Sequence, residues 1–437
     1  MHDRLLVAQL LATTFANARW HSPELIARAL DVLGKPYRWI EPLVERLFVA
    51  YPGSARPRAA VIYEFILGDS DFRRARIRKH GHARQTVAKA AMHSALPIVA
   101  NVPAICSPEE LADWLSVSTG ELEWFANRQG FARSRPHRKL GHYHYRVLAK
   151  LGGAVRLIES PKQRLKQIQL RILREILDAI PPHDAAHGFR RGRSIATFAA
   201  PHVGRNVVVR IDLQDFFPSI RRARVSAIFR TIGYPEQVAA LLAGLCTNLA
   251  PAWVWQSPNL PPMHQLREAY WRYAEPHLPQ GAPTSPAIAN LCAYGLDCRL
   301  HGLAQAASAR YTRYADDLAF SGEAEFARRA KRFLIHVAAT VSEEGFRVHH
   351  RKTRIMRRSV RQHLAGIVVN ERISVRRTDY DQLRAILTNC RRHGPASQNR
   401  AGHSDFRAHL VGRVAFVEQI NPTKGSKLRE LLAAIAW

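Results

Sequence analysis

The chain has 437 residues, 47% of them hydrophobic, which is long enough for two or three domains with buried cores. It carries 65 Lys and Arg against 35 Asp and Glu, a formal net charge of +30. A balance this positive points to a polyanionic partner, most simply nucleic acid. A generally basic proteome or a membrane-surface protein is the alternative explanation.

Membrane spans and metal-binding cysteine spacings are absent from the sequence. No run of eighteen apolar residues occurs, and the amino-terminal residues do not read as a secretory signal. The cysteines are odd in number and scattered, so we predict five buried thiols in a reducing cytoplasm. They are Cys106, Cys246, Cys292, Cys298 and Cys390.

Residues 1–100 are predicted to be mostly helical, because apolar residues recur at helical spacing over 5–16 and 23–33. A dense basic run extends from Arg73 to Lys79 and continues with Arg84 and Lys89. It forms either a solvated helix face or a contact to RNA phosphates. Two capping sequences then begin at Ser107 and Ser118, and predict two short helices that resemble a helix-turn-helix or simply pack as a pair.

The next segment combines a predicted hairpin with a basic helix. Residues 142–148 and 154–158 alternate in polarity, with a turn at 150–153, so they predict two paired strands. Residues 161–180 predict one helix with an apolar stripe, and its cations lie elsewhere around the axis, where they suit a nucleic-acid backbone. The stripe consists of Leu165, Ile168, Ile172 and Ile176.

A buried strand is predicted at 207–211 and ends on a carboxylate, Asp212. Pro218 then marks a break or a helix start, and we interpret Asp215 as a structural residue that caps this helix. Residues 225–249 predict a helix broken at 233–235, residues 250–277 a loop, and residues 285–303 another helix.

Two adjacent carboxylates, Asp316 and Asp317, lie between the short β-runs 310–314 and 318–321. Like charges side by side repel each other, and a hard cation such as Mg²⁺ between them relieves the repulsion. A solvated Asp-Asp turn is the alternative. If Asp212 faces this turn from a neighbouring strand, three carboxylates would hold two metal ions for in-line attack on phosphorus. One ion would activate the attacking hydroxyl, and the other would neutralise the leaving oxygen.

The carboxyl-terminal part is predicted to begin with an amphipathic helix at 323–344 and a strand starting at 345–348. A further strand with a glycine is predicted at 364–370. Residues 378–437 predict two or three helices, including 380–391 and 406–420, with a loop at 393–404.

Four sequence motifs, in this order along the chain, resemble those of reverse transcriptases, and most closely those of retrons. They are HGFRRGRS at 187–194, RIDLQDFF at 210–217, LPQGAPTSP at 278–286 and YADD at 314–317. Within the family the chain resembles a myxobacterial-like subgroup with an amino-terminal extension. The resemblance covers roughly residues 105–437. The Asn-Ala-x-x-His box usual in the family is not found in 221–277, so the RNA contacts of that segment stay open.

The resemblance implies roles for individual residues. It assigns Asp212, Asp316 and Asp317 to catalysis and, with the carbonyl of Leu213, to two Mg²⁺ ions, with Mn²⁺ as a substitute. Phe217 becomes a steric gate against ribonucleotides, with a core phenylalanine as the alternative. The implied nucleotide-binding residues are Lys150, Arg156, Phe217, Gln280 and Lys352, of which the cations are otherwise ordinary surface residues. The implied template or RNA-binding residues are Arg190, Arg191, Arg193, Arg391, Arg392, Arg400, Arg407 and Arg413.

The resemblance also implies an α+β right-hand polymerase. Its parts would be a helical extension (1–104), fingers (105–205), a palm with an antiparallel sheet (206–375, insertion 221–277) and a helical thumb (376–437). Such an enzyme would use deoxynucleotides to copy a structured noncoding RNA of the msr–msd type into branched, RNA-linked DNA. The role would be antiphage defence, with an effector protein as a further partner.

Two alternatives stay open at this stage. One is another bacterial reverse transcriptase, related to group II introns or to untemplated phage-defence polymerases. The other is a non-catalytic RNA-binding protein.

Overall fold

The computed structural model describes residues 2–18, 20–33, 36–51, 57, 59–75, 102–127, 141–149, 155–256, 260 and 263–437. Every pairing between its named strands is antiparallel, and helices surround the sheets, which confirms the predicted α+β class. The predicted turn that contains Lys150 lies outside the described residues, as do the basic residues between 76 and 89.

The elements are named in chain order. Up to residue 180 they are α1 (His2–Asn17), α2 (Ser22–Leu33), α3 (Ile40–Ala50), α4 (Ala59–Gly68), α5 (Ser70–Arg74), α6 (Pro108–Leu115), α7 (Thr119–Ala126), β1 (Tyr143–Ala149), β2 (Val155–Pro161) and α8 (Gln163–Glu175). They continue with α9 (Ile195–Ala199), β3 (Val207–Asp212), α10 (Phe216–Ser219), α11 (Arg222–Ile232), α12 (Glu236–Cys246), α13 (Met263–Tyr273), α14 (Ser285–Cys292) and α15 (Tyr294–Ala306). The last are β4 (Arg310–Tyr314), β5 (Asp317–Gly322), α16 (Ala324–Glu343), β6 (Arg354–Arg357), β7 (His363–Leu364), β8 (Ile367–Val368), β9 (Ser374–Val375), α17 (Arg377–His393), α18 (Phe406–Ile420) and α19 (Pro422–Ala433).

The chain folds into two compact units, each built from two separate stretches of sequence. The first unit contains residues 1–180 and 221–284, and the second contains residues 181–220 and 285–437. The predicted domain limits at 105, 206 and 376 stay predictions.

In the first unit, helices α1 to α5 share an apolar core in which Phe15, Leu43 and Phe72 are fully buried. Asp69 caps α5, because its carboxylate accepts the backbone N–H groups of the first turn, and it also binds Arg46 at 2.8 Å. The helical prediction for this segment is confirmed where the structure describes it.

Both predicted capping sites begin helices. The Ser107 hydroxyl accepts the backbone N–H of Glu110 at the start of α6, and Ser118 forms a complete capping box at the start of α7. Helix α7 packs closely on α12, since a Cβ on Gly244 would lie 2.5 Å from the carbonyl oxygen of Ala126. The two helices therefore lie against the rest of the first unit as a packed pair.

The β1–β2 hairpin forms as predicted, with seven residues paired on each strand. The loop predicted for 250–277 was wrong, because α13 forms inside it. Leu266, Ala269 and Tyr273 recur at helical spacing on α13 and are buried in one cluster with Val155 of β2. The many Trp and Pro residues nearby had concealed this helical spacing. The helix predicted over 161–180 is shorter, because Pro161 belongs to β2.

In the second unit, a four-stranded sheet has the order β4-β5-β3-β6. Strand β3 lies in its interior, and Val207, Val208, Val209 and Ile211 are fully buried, as their apolar run predicts. The β4–β5 hairpin and β3 are confirmed.

The last three strands and the last three helices also belong to the second unit. Helices α17 and α18 confirm the two predictions there, and α19 follows them. The strand predicted for 364–370 was wrong: β7 and β8 are a hairpin, because Ala365 and Gly366 have φ of 46° and 86° and reverse the chain.

Two other boundaries differ from prediction. The helix expected at 285–303 is divided at Ala293 into α14 and α15. The strand expected from 345 is reduced to an isolated bridge between Val348 and Leu213, and a 3₁₀ turn at His350–Lys352 follows.

The five cysteines all lie within the described residues and form no disulfide there, but only Cys246, Cys292 and Cys390 are buried. The prediction was wrong for Cys298, which is exposed on α15, and for Cys106, which is partly buried. Among the described residues, no helix combines the length and apolarity that a membrane crossing requires.

A buried histidine, His202, connects β4 and β5. Its Nε2 lies 2.8 Å from the Thr312 hydroxyl, which itself donates to the Phe198 carbonyl, and its Nδ1 lies 2.7 Å from the Ser321 hydroxyl. The Thr312 oxygen must therefore accept, which places the imidazole proton on Nε2. Burial lowers the pKa of His202 to about 3, so the ring is neutral.

We predict that the second unit loses stability as the pH falls below about 6.5. An unfolded histidine takes up a proton there, whereas folded His202 does not until about pH 3, so stability declines by up to about 1.4 kcal/mol per pH unit. His202→Gln removes this contribution and should flatten the profile. Urea unfolding between pH 4.5 and 7.5 measures the free energy of unfolding as a function of pH. His336→Gln, at an exposed position of α16, is the control. Equal slopes in wild type and His202→Gln would contradict the assignment.

Candidate active site

The turn between β4 and β5 carries the two adjacent carboxylates. Ala315 adopts the left-handed conformation with φ of 54°, which reverses the chain just before Asp316. Asp317 begins β5 and is the cross-strand partner of Asp212, the last residue of β3. The backbone N–H of Leu213 donates to the Asp316 carbonyl at 2.8 Å. Strand pairing thus brings all three carboxylates to one end of the sheet.

A fully buried arginine, Arg313 on β4, supports this turn from below. Its guanidinium forms two hydrogen bonds to the Asp297 carboxylate at 2.6 and 2.8 Å, one to the Asn290 side chain, and one to the Ala315 carbonyl at 3.1 Å. Burial opposes the charge on Arg313, but the Asp297 carboxylate outweighs it and raises the pKa of Arg313. Sequence reasoning missed this pair, because an arginine in a polar strand is usually exposed.

The HGFRRGRS segment lies directly against the same turn. A Cβ on Gly188 would be 2.6 Å from the backbone nitrogen of Ala315, so only glycine allows this approach. The backbone N–H of His187 donates to the Arg313 carbonyl at 2.7 Å. Gly188 therefore lets the backbone of this segment lie directly against the carboxylate turn.

Two of the three carboxylates are paired with cations. The Arg210 guanidinium binds both oxygens of Asp317 at 2.9 to 3.1 Å, and the Lys352 Nζ binds both oxygens of Asp212 at 2.9 and 3.0 Å. Burial, and then the charges of Asp212 and Asp317, raise the pKa of Asp316. Burial also raises the pKa of Asp317, against the opposing effect of Arg210. The site concentrates negative charge that protein cations only partly offset.

The donor atoms suit a hard divalent ion, although the side chains do not yet enclose one. Among the residues that the structure describes, no three His, Cys, Asp or Glu side chains form a ready metal site. The two ion pairs explain this, because they direct Asp212 and Asp317 toward Lys352 and Arg210. Carboxylate and carbonyl oxygens are the ligands that Mg²⁺ prefers. The Lys352 side chain is 53% exposed, so it has room to leave Asp212.

Phe217 is half-buried, whereas its neighbour Phe216 is 3% exposed and belongs to the core. The ring of Phe217 contacts Phe216 and also Phe189, whose ring centroid lies 6.0 Å away. Phe189 has φ of 60° and is 51% exposed. A second aromatic ring thus accompanies Phe217, which the sequence did not indicate. Asp215 occupies the N-cap position of α10, but its side chain forms no capping hydrogen bond with the helix. The prediction that Asp215 caps this helix was therefore wrong.

The other predicted residues are distributed over both units. In the first unit, Arg156 is exposed on β2 and Gln280 is half-buried after α13. In the second unit, Arg190 binds Asp184 at 3.2 Å, while Arg191 and Arg193 are exposed. The carboxyl-terminal arginines are exposed except for Arg413, which is partly buried; they are Arg391, Arg392, Arg400, Arg407 and Arg413.

Removing one charge from the carboxylate turn is expected to stabilise the metal-free fold. Asp316→Asn relieves burial of a charge and its repulsion from Asp212 and Asp317, so its Tm in EDTA should exceed that of the wild type. Each 1 kcal/mol of relief raises Tm by about 2–4 °C in a domain of this size. Asp113→Asn, on an exposed helix face, is the matched control. A Tm at or below that of the wild type would show that the carboxylates do not strain the fold.

The sequence is similar to known proteins of one family. The model for "Reverse transcriptase (RNA-dependent DNA polymerase)" matches residues 148–372, just over half of the chain. The chain is 40% identical over 335 residues to the retron Mx65 reverse transcriptase of Myxococcus xanthus, covering 75% of this chain and 71% of that one. It is 38% identical to the retron Mx162 reverse transcriptase of the same organism, covering 73% and 65%. A Candida albicans telomerase structure matches 65% of this chain and 54% of its own at 8% identity and a TM-score of 0.35, too low to support an argument. The chain belongs to the retron reverse transcriptases, which are RNA-directed DNA polymerases.

Proposed function

We propose that this enzyme copies a structured noncoding RNA of the msr–msd type into branched, RNA-linked single-stranded DNA in the cytoplasm, in antiphage defence. The observation that carries this proposal is the carboxylate turn opposite Asp212, in a chain of the retron family. The defence role and an effector partner follow from the resemblance to retrons. The fingers, palm and thumb limits given above are part of the proposal.

Asp212, Asp316 and Asp317, with the Leu213 carbonyl, are the proposed ligands of two Mg²⁺ ions, for which Mn²⁺ can substitute. Bound there, such ions would activate an attacking hydroxyl and offset charge on the leaving oxygen. Burial and mutual repulsion of the carboxylates support the assignment, because a divalent cation relieves both costs. Lys352 neutralises Asp212 in the absence of metal, and a nucleotide's phosphates would offer it an alternative partner.

The proposed nucleotide contacts combine charge with shape. Arg156 on β2, together with Lys150 and Lys352, would neutralise the triphosphate. Gln280 would contact the sugar, and Phe217 would exclude a 2′-hydroxyl. Its partial exposure supports a gate over a core role.

RNA binding is assigned to two groups of arginines and to the general charge of +30. Arg190, Arg191 and Arg193 would contact the template, and the carboxyl-terminal arginines would hold the structured RNA. Exposure of most of these side chains supports both assignments. The proposed primer is the 2′-hydroxyl of a guanosine within the same RNA.

Coexpression of the enzyme with the RNA encoded beside its gene tests the proposal. We expect single-stranded DNA that is joined to RNA and shifts in size after debranching or ribonuclease treatment. Asp316→Asn should reduce this product at least a thousandfold, a loss of about 4 kcal/mol of transition-state stabilisation, while RNA binding is retained. Asp113→Asn is the control with the same change in charge. DNA without an RNA branch would favour another reverse transcriptase class, and DNA made without template an untemplated polymerase.

Phe217→Ala should admit ribonucleotides, because it removes the ring proposed to lie under the sugar. The ratio of kcat/KM for dGTP over GTP is expected to fall by at least tenfold, or about 1.4 kcal/mol. Phe189→Ala removes the neighbouring ring but keeps Phe217, so it distinguishes the effect of the Phe217 ring itself from the effect of its contact with Phe189. An unchanged ratio in Phe217→Ala would assign that ring to packing.

A further inference from the structure

A buried polar cluster in the first unit joins the β1–β2 hairpin to the segment 221–284. Its centre is Glu159 on β2, whose side chain is fully buried. One carboxylate oxygen accepts from the Asn248 amide at 2.8 Å, and the other lies 2.9 Å from Nε2 of His277, which is also fully buried. Asn248 additionally donates to the Tyr145 hydroxyl at 3.0 Å. Neither Asn248 nor His277 belongs to the motifs that assigned the function.

Hydrogen-bond directions define the charge of this cluster. Nδ1 of His277 lies 2.7 Å from the Glu275 carbonyl, which can only accept, so Nδ1 carries a proton. The contact between Nε2 and Glu159 then needs one more proton, held on either partner. In both cases the pair is neutral as a whole, which allows two titratable groups to be buried together.

The same residues attach the LPQG segment to β2 through the backbone. The Glu159 N–H donates to the Gln280 carbonyl at 2.8 Å, and a Cβ on Gly281 would lie 2.9 Å from the Glu159 carbonyl oxygen. Gly281 has φ of 129°, which strongly favours glycine. His277 and Asn248 exchange two backbone hydrogen bonds of 2.9 Å. Gln280 therefore has its backbone fixed to the strand that carries Arg156.

We propose that Glu159, Asn248 and His277 are positioning residues for the incoming deoxynucleotide. Their cluster holds Gln280 at a constant place relative to Arg156, three residues before Glu159 on the opposite face of β2. This role rests on the proposed nucleotide contacts of Arg156 and Gln280. It also gives the segment 221–277 a function within the polymerase itself, because two of the three residues belong to it.

A buried polar cluster suits this task better than an apolar one. Apolar side chains tolerate sliding and repacking, whereas a carboxylate with two directed partners is satisfied in one register only. A shift of β2 past the LPQG segment would leave Glu159 buried without partners, which is strongly unfavourable. The cluster thus ties the hairpin to Gln280 in a single arrangement.

Steady-state extension of a supplied primer on an RNA template, with varied dNTP, tests this role. Glu159→Ala should raise the KM for dNTP at least tenfold while kcat changes less than threefold, because it loosens Gln280 without touching the carboxylate turn. Glu159→Gln should restore KM to within about threefold, since its amide can accept from Asn248 and donate to Nε2 of His277. Glu236→Ala, an exposed glutamate of the same unit, is the matched control and should leave both constants unchanged.

Asn248→Ala removes one contact of Glu159 and keeps the test decisive if Glu159→Ala does not fold. It should raise the KM for dNTP severalfold while kcat changes less than threefold. A wild-type KM in both alanine variants would overturn the role. So would a parallel fall in kcat and Tm that Glu159→Gln does not rescue, because that pattern indicates a structural residue. Failure to form branched DNA in the coexpression experiment would refute only the proposed product of the enzyme. It would leave the role of Glu159 untouched, because the extension assay supplies its own primer.

Discussion

The carboxylate turn depends on one buried ion pair, Arg313 with Asp297. Both side chains are fully buried, so each charge would be costly without the other, and removing one partner of such a pair typically costs about 3–5 kcal/mol. The guanidinium also holds the Ala315 carbonyl, which directs the chain into its left-handed turn. Because Asp316 and Asp317 follow directly, the ion pair determines where the two carboxylates lie. The Tyr311 hydroxyl also donates to the Asp297 carboxylate, at 2.7 Å.

Below the turn the charges of Arg313 and Asp297 balance, whereas above it negative charge is in excess. Three carboxylates lie together in a partly buried place, and Arg210 and Lys352 neutralise only two of them. The buried Arg313–Asp297 pair therefore holds in place a turn whose carboxylates repel one another. This division leaves a net negative charge at the turn, which a divalent cation bound there, as proposed above, would offset.

Local patterns in the sequence were sufficient for most of the sheet and for the carboxylates. The apolar run of β3, the polar turn before Asp317 and the capping serines each depend on neighbours in sequence. Arg313 and Glu159 could not be identified that way, because their partners Asp297 and His277 are 16 and 118 residues distant. Helix α13 was missed because the Trp and Pro residues around it concealed the helical spacing of its apolar residues, which pack against β2. Ala365 was missed because a non-glycine residue rarely adopts positive φ.

Gly188 gives the second unit a mechanical property. Its backbone and that of Ala315 are in such close contact that neither can move toward the other. The His187 N–H donates to the Arg313 carbonyl, and the Asn290 amide donates to the Gly188 carbonyl, so both bonds hold the glycine segment in place. The backbone that leads to the arginines at 190, 191 and 193 therefore lies directly against the turn that carries the carboxylates at 316 and 317. A side chain at position 188 would push these two backbones apart, so it would displace the arginines and the acidic groups together.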